Sequence, residues 1–243
     1  MMEAIRTEAL TKKYKDVVAV DNLSLSVSKG ELISLLGVNG AGKTTTIKML
    51  SCLTKPTRGD AYLNGKSICK DTAAVKSMIA VSPQETAIAP GLSVKENLEL
   101  ICGIYNFTKE KREQKIAELT RLLGLQSVMG KRAGKLSGGW QRRLSIAMAL
   151  ISEPEILFLD EPTLGLDVIA RSELWDMIRR LKGQVTIILT THYMEEAEQL
   201  SDRIAIMKDG KLLVYDTAQK IQQMAKADNF EQAFVQIVKG ACT

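Results

Sequence analysis

Residues 37–44, which read Gly-Val-Asn-Gly-Ala-Gly-Lys-Thr, constrain the fold of this chain more than any other segment. They match the pattern G-x-x-x-x-G-K-[ST], whose glycines let backbone N–H groups turn inward and surround an anion. Residues 31–36 before them are nearly all apolar, which is typical of a strand buried on both faces. A helix is predicted from near Gly42, and its N-terminal end also favours phosphate. The segment therefore predicts a phosphate-binding loop between a buried strand and a helix.

The rest of the chain alternates short apolar, β-branched segments with longer helical patterns. This alternation is typical of an α/β fold with a mainly parallel sheet flanked by helices. Further strands of that sheet are predicted at residues 156–159, 185–189 and 204–207. Helices are predicted at residues 171–181 and 194–200, and Asp209-Gly210 is predicted to close a hairpin to residues 211–214.

Two parts of the chain depart from this alternation. Near the N-terminus, strands with tight turns such as Asn64-Gly65 are predicted at residues 3–8, 23–28 and 60–63. Residues 94–123 are helical in pattern, with Ser93 and Thr108 as the predicted N-caps. We expect one domain over residues 1–243, with a helical subdomain at about 86–152 and a C-terminal helical tail at about 217–243.

Composition limits the class of protein. With 243 residues, 45% hydrophobic and 25% charged, the chain is long enough for one large domain with a proper core. No apolar run approaches the roughly 18 residues of a membrane-spanning helix, and the first ten residues lack a signal-peptide core. We therefore expect a cytoplasmic chain unless a partner brings it to a membrane. The formal net charge of +5 is mild and gives no strong argument for nucleic acid.

The cysteines are widely separated and include no C-x-x-C pair; they are Cys52, Cys69, Cys102 and Cys242. That spacing argues against a metal site or a disulfide framework. We expect these side chains to be buried as small hydrophobic groups.

A pair of acidic residues follows a predicted buried strand. Asp160 and Glu161 come directly after the apolar residues 156–159. At the ligand-facing edge of a parallel sheet, Asp160 would hold Mg²⁺ and Glu161 would polarise an attacking water as general base. Without other motifs, Asp160 and Glu161 before Pro162 would be better explained as one acid that caps a helix N-terminus and one that is exposed to solvent. Combined with the phosphate loop, the pair predicts a catalytic site.

A second glycine-rich segment lies at a predicted helix start, where residues 136–143 read Leu-Ser-Gly-Gly-Trp-Gln-Arg-Arg. Ser137, Gly138 and Gly139 predict another anion nest, with Ser137 as N-cap. With this segment the chain resembles the ATP-binding cassette (ABC) ATPases over nearly its whole length. Trp140 replaces the usual Gln of their signature, and Val38 stands where Pro is common. The resemblance implies a P-loop NTPase core with a parallel sheet flanked by helices, an N-terminal antiparallel β subdomain and a helical signature subdomain.

The resemblance implies ATP and Mg²⁺ as ligands, with ATP hydrolysed to ADP and phosphate. Glu161, His192 and Gln84 are the implied catalytic residues, and Thr44, Gln84 and Asp160 the implied metal site. His192 is the only histidine of the sequence. The aromatic ring of Tyr14 is implied to stack on adenine, although it could simply pack at the edge of the small sheet. The nucleotide-binding residues are Tyr14, Gly37, Asn39, Gly40, Ala41, Gly42, Lys43, Thr44, Thr45, Ser137, Gly138 and Gly139.

The resemblance also implies partners. The family's site is split, so a second cassette, identical or different, would bind head to tail and supply Ser137, Gly138 and Gly139. Residues 161–167, 191–198 and 229–234 are most similar to drug-resistance and antibiotic-export cassettes. This predicts a subunit that powers an exporter, peripheral on the inner face of the cell membrane, with separate transmembrane permease subunits and no nucleic acid. The alternatives are an importer cassette, or a soluble ABC ATPase acting on nucleic acid or ribosomes.

Overall fold

The computed structural model describes residues 2–240, in which two β-sheets pack among helices. The strands are β1 (Glu3–Tyr14), β2 (Val17–Leu23), β3 (Ser26–Ser28), β4 (Leu32–Leu36), β5 (Arg58–Leu63), β6 (Lys66–Ser67), β7 (Ile79–Ser82), β8 (Ile156–Asp160), β9 (Thr186–Thr191), β10 (Arg203–Lys208) and β11 (Lys211–Asp216). The α-helices are α1 (Lys43–Leu50), α2 (Thr72–Met78), α3 (Val94–Ile104), α4 (Lys109–Leu122), α5 (Gly138–Leu150), α6 (Val168–Leu181), α7 (Met194–Leu200), α8 (Ala218–Ala225) and α9 (Phe230–Gly240).

The larger sheet has the strand order β11-β10-β4-β9-β8-β7. Its strands are parallel except for β11, which pairs with β10 through the predicted Asp209-Gly210 hairpin. All residues of β4, β8 and β9 are buried, which explains their mainly apolar character. Strand β9 runs to Thr191, two residues past the predicted end, so His192 follows it directly. Strand β7 and helix α2 were not predicted, because both are short and weakly patterned.

The smaller sheet is antiparallel, with the order β2-β1-β5-β6 and β3 paired to β1. The prediction of a strand at residues 3–8 is too short, because β1 continues to Tyr14 and pairs with β2 and β5 on its two sides. The prediction at 23–28 is wrong in part, since Leu23 ends β2 and only Ser26–Ser28 form β3. Asn64 and Gly65 both have positive φ, which confirms the tight turn between β5 and β6.

Helices α3, α4 and α5 form a block beside the larger sheet. Ser93 caps α3 with a complete capping box, in which its hydroxyl accepts from Glu96 N at 3.2 Å and its own N–H donates to Glu96 Oε2 at 2.7 Å. Thr108 caps α4 by accepting from Lys111 N at 3.3 Å. Both predicted caps are therefore confirmed.

The C-terminal helices α8 and α9 are amphipathic and pack beneath α7. Ile221 and Phe230 are buried in a cluster that includes Leu36, Ala197 and Ile206. The predicted tail is thus helical as far as Gly240, and its last residues, with Cys242, lie outside the described part. Cys102 is buried as predicted, but Cys69 is exposed, so the expectation of burial is wrong there. Within residues 2–240, no helix has both the length and the apolar character needed to cross a membrane.

Candidate nucleotide site

A cavity of about 750 Å³ opens where the phosphate loop, the end of β9 and the hairpin of β1 and β2 meet. It is lined by Val17, Val18, Ala19, Asn39, Gly40, Ala41, Gly42, Lys43, Thr44, Thr45, Gln84, Glu161, Leu164, His192 and Asp209. The structure therefore brings together most of the predicted site. The predicted residues outside this lining are Tyr14, Gly37, Asp160, Ser137, Gly138 and Gly139.

The phosphate loop needs glycine for its backbone conformation and for its packing. Gly40 and Gly42 have φ of 84° and 102°, a region that other residues rarely adopt. A Cβ on Gly42 would lie 2.5 Å from Ala19 O, and one on Gly37 would clash with Met207 O. The loop is therefore seated against β2 and β10, and it leads into α1 at Lys43.

Lys43 is a buried cation at the base of the cavity, with 4% of its side chain exposed. Its Nζ donates to Gly37 O at 2.7 Å and Val38 O at 3.3 Å, and lies 3.6 Å from Glu161 Oε1. Burial lowers the pKa of Lys43, while the nearby carboxylates of Glu161 and Asp160 act in the opposite direction. The Lys43 ammonium is thus held in place by the carbonyl groups of the phosphate loop and by Glu161.

Asp160 ends β8 just beneath the cavity. Its Oδ1 accepts from Thr44 Oγ1 at 3.2 Å and from Thr190 Oγ1 at 2.5 Å. Carboxylate and hydroxyl oxygens suit Mg²⁺, so Thr44 and Asp160 fit the implied metal. Among the described residues, no three His, Cys, Asp or Glu side chains are grouped as a metal site. A bound Mg²⁺ would therefore complete its ligand shell with water and phosphate oxygens.

Thr190 was missed by the sequence reasoning, although its position as a hydroxyl residue at the end of an apolar strand was a usable signal. Besides contacting Asp160, its Oγ1 accepts from Glu161 N at 3.0 Å, and its carbonyl accepts from the same N–H at 3.1 Å. From the neighbouring strand, it therefore holds the carboxylate of Asp160 and the backbone of Glu161.

Glu161 adopts a left-handed backbone with φ of 48°. This conformation is uncommon for a residue other than glycine, and it turns the side chain into the cavity rather than along the strand. Its Oε2 lies 3.2 Å from His192 Nδ1, on the side opposite the contact with Lys43. The carboxylate is therefore held between an ammonium and an imidazole, close to the phosphate loop.

Gln84 follows β7 and reaches the cavity from the side of the helical block. The buried Arg142 of α5 holds this loop, because its guanidinium donates to Pro83 O at 2.6 Å and Gln84 O at 2.5 Å. Burial lowers the pKa of Arg142, although Asp160 and Glu196 act against this shift. The Gln84 loop is thus tied to the helix that begins at the second glycine-rich segment.

That second segment lies outside the lining of the cavity of its own chain. Ser137 and Gly138 are exposed, and a Cβ on Gly139 would lie 3.1 Å from Ala170 Cβ. Ser137 occupies the N-cap position of α5, as predicted, although its side chain makes no capping hydrogen bond. Its exposed hydroxyl is therefore not used to cap its own helix.

Trp140 packs against the core of the helical block. The guanidinium of Arg143 lies 4.7 Å from the centre of its ring, and Arg143 pairs in turn with Glu173 of α6. Arg143 therefore joins α5 to α6, and the ring of Trp140 packs against its guanidinium.

Tyr14 stands at the rim of the cavity, at the end of β1. It pairs with Val17, which lines the cavity, and 43% of its surface is exposed. The ammonium of Lys12 lies 4.9 Å from the centre of its ring. The face of the Tyr14 ring is therefore already in contact with a cation. Its position fits both stacking on adenine and simple packing at the edge of the small sheet.

Comparison with known proteins places the chain in a family. The model of the family described as ABC transporter matches residues 20–164. Daunorubicin resistance ATP-binding protein DrrA3 of Streptomyces coeruleorubidus is 38% identical over 229 residues, covering 94% of this chain and 72% of that protein. Phospholipid-transporting ATPase ABCA3 of Homo sapiens is 39% identical over 216 residues, covering 87% of this chain but only 13% of that protein.

A solved structure supports the same assignment. A dimeric ATP-binding cassette in a post-hydrolysis state, bound to ADP and Pi, matches with a TM-score of 0.78 and 28% identity over 88% of this chain and 98% of that chain. The chain belongs to the ABC transporter family. The predicted resemblance and α/β fold class are confirmed, and the predicted class of transport-coupled, ATP-binding ATPase is favoured over a cassette that acts on nucleic acid or ribosomes.

Proposed function

We propose that this chain binds and hydrolyses ATP at a site shared between two cassettes, and thereby powers a membrane exporter. The observation that supports this most is the placement of the two anion-binding segments. Lys43, Glu161 and His192 line one cavity, whereas Ser137 and Gly138 are exposed elsewhere on the surface. A complete site needs both segments, so a second cassette would supply the signature segment head to tail.

Within one cavity, we assign each residue a role by its contacts. The loop N–H groups and Lys43 bind the phosphates, and Thr44, Asp160 and Gln84 hold Mg²⁺. When bound there, Mg²⁺ would supply positive charge beside the phosphates. Glu161 accepts the proton of the attacking water, and His192 holds the Glu161 carboxylate through the contact at 3.2 Å. Phosphate binding at Lys43 competes with its ion pair to Glu161, which frees that carboxylate to act as base.

A groove beside the Gln84 loop is our proposed contact with the permease. It has a volume of about 370 Å³ and lies between β7, α3 and α5. Ile104 and Tyr105 line it and are 64% and 51% exposed, and the exposed Leu100 is near them on α3. Exposed apolar side chains in a cluster are typical of a protein contact. With the permease bound in this groove, the cassette would lie on the inner face of the cell membrane. The similarity to a daunorubicin resistance protein supports export as the direction of transport.

The shared site is tested by measuring steady-state ATP hydrolysis against chain concentration in the presence of Mg²⁺. We expect the specific activity to rise with concentration and then to saturate, because the active species is a dimer. A second test is Ser137→Arg, which places a bulky cation at an exposed position of the second glycine-rich segment. This variant should not hydrolyse ATP, although ATP should still bind in the chain's own cavity. Constant specific activity in a chain that sediments as a monomer would contradict the shared site.

The proposed role of Tyr14 makes a separate prediction. Tyr14→Ala should weaken ATP binding by about tenfold, because stacking on a base contributes roughly 1–3 kcal/mol. Tyr14→Phe keeps the ring and should bind ATP like the parent. Calorimetric titration with ATP and GTP measures both the loss and any change in base preference. Unchanged ATP affinity in Tyr14→Ala would show that the ring only packs at the edge of the small sheet.

A further inference from the structure

Glu196 of α7 is a buried carboxyl group to which the proposed chemistry assigns no role. Its side chain is fully buried, and its Oε1 accepts a hydrogen bond from Trp175 Nε1 at 3.0 Å. Its Oε2 has no hydrogen-bond partner of good geometry among the described residues. The same holds for two neighbouring polar atoms, Thr163 Oγ1 and Arg171 Nε. Buried polar atoms are rarely left in such a group without a reason, because each one costs free energy.

The groups around Glu196 come from segments that matter for hydrolysis. Thr163 lies two residues after Glu161, and Thr191 directly precedes His192. Burial raises the pKa of Glu196, whereas the nearby hydroxyl groups of Thr191 and Thr163, the Trp175 indole N–H and the charge of Arg171 act in the opposite direction. The carboxyl group therefore stands where the Glu161 loop, the His192 loop and helix α6 meet.

Helix α6 also contacts the second glycine-rich segment. Asp167 caps this helix by accepting from Ala170 N at 2.9 Å. Ala170 packs against Gly139, and Leu166 packs against Gly138. The start of α6 thus contacts the second glycine-rich segment, which would serve the site of the partner cassette. Further along the same helix, Trp175 donates to Glu196, which follows His192 by four residues.

We infer that Glu196 is a positioning residue for hydrolysis, which joins the His192 loop to helix α6 through its bond with Trp175. This inference rests on the proposed roles of Glu161 and His192. Through this bond, the position of the signature segment of a chain is coupled to the position of His192 in the same chain. In a head-to-tail dimer, these two elements belong to opposite sites, so Glu196 links one site to the other.

The test compares two substitutions of similar volume. Glu196→Leu removes the acceptor for Trp175 Nε1, and we expect kcat for ATP hydrolysis to fall about tenfold with KM within about twofold of the parent. Glu196→Gln keeps an acceptor oxygen and should restore most of the rate. A loss of kcat without a loss of substrate binding is expected of misplaced catalytic groups, whereas general unfolding would reduce the active fraction and the melting temperature together.

Three further variants separate positioning from stability. Trp175→Phe removes the donor from the other side, and the double variant Glu196→Leu/Trp175→Phe should be no slower than Glu196→Leu, because both break one interaction. Ile178→Val makes a small cavity elsewhere on α6, and it should lower stability without changing kcat. If Glu196→Leu does not fold, Trp175→Phe alone provides the test, since it retains an aromatic ring.

A readout without turnover completes the experiment. In ¹⁵N-tryptophan-labelled protein carrying Glu161→Gln, the Trp175 indole N–H resonance should shift when ATP and Mg²⁺ are added, and Trp175→Phe assigns it. Parent-like kcat in both Glu196→Leu and Trp175→Phe would overturn the inference. A Trp175 indole resonance whose chemical shift does not change on addition of ATP and Mg²⁺ would also overturn it. If Glu161→Gln itself hydrolyses ATP at the parent rate, the proposed role of Glu161 as general base fails instead.

Discussion

Glu161→Gln is expected to slow ATP hydrolysis by about 10²- to 10⁴-fold, the usual contribution of a general base, while ATP still binds. The amide has the shape of the carboxylate but cannot take a proton from water. It can still contact His192, which lies 3.2 Å from Glu161 Oε2, so the geometry of the cavity should survive. The variant also loses the negative charge beside Lys43, which leaves Lys43 fully available to phosphate.

Because binding persists without hydrolysis, this variant should accumulate as an ATP-bound dimer. Single-turnover assays measure the chemical step, and sedimentation with and without ATP measures the dimer. Glu231→Gln is the matched control, because Glu231 is an exposed acid on α9 that does not line the cavity. It should hydrolyse ATP like the parent. If Glu161→Gln turned over at the parent rate, another group would have to be the base.

Lys43→Ala is expected to weaken ATP binding by about 10²-fold, because hydrogen bonds to a charged group contribute roughly 1.5–3 kcal/mol each. Lys43 is buried at the base of the cavity and already aligned by Gly37 O and Val38 O, so little ordering is needed when phosphate binds. Removing it leaves the loop N–H groups and the end of α1 as the remaining attraction for the phosphates.

Equilibrium titration with ATP in the absence of turnover measures this loss. Lys48→Ala is the control, since Lys48 is exposed in the last turn of the same helix and does not line the cavity. It should bind ATP like the parent, and thermal unfolding of both variants would show whether the loop remains folded. Parent-like affinity in Lys43→Ala would refute the assignment of residues 37–44 as the phosphate loop.

Local patterns predicted the parts of this protein whose structure depends on neighbouring residues. The phosphate loop follows from its glycines and the apolar strand before it, and the capping box at Ser93 follows from the spacing to Glu96. The buried strands β4 and β8 follow from segments that are nearly all apolar. In each case the deciding interaction lies within a few residues of chain, so the sequence pattern is sufficient.

Long-range packing decided the rest, because no local pattern specifies which distant groups meet. The length of β1 depends on pairing with both β2 and β5. Thr190 contacts Asp160 only because β8 and β9 lie side by side, and Glu161 turns toward Lys43 because that neighbouring strand holds its backbone. The bond from Trp175 to Glu196 spans 21 residues and joins two helices. The sequence alone determined the chemical groups of the site, whereas the tertiary structure decided their mutual positions through strand pairing and burial.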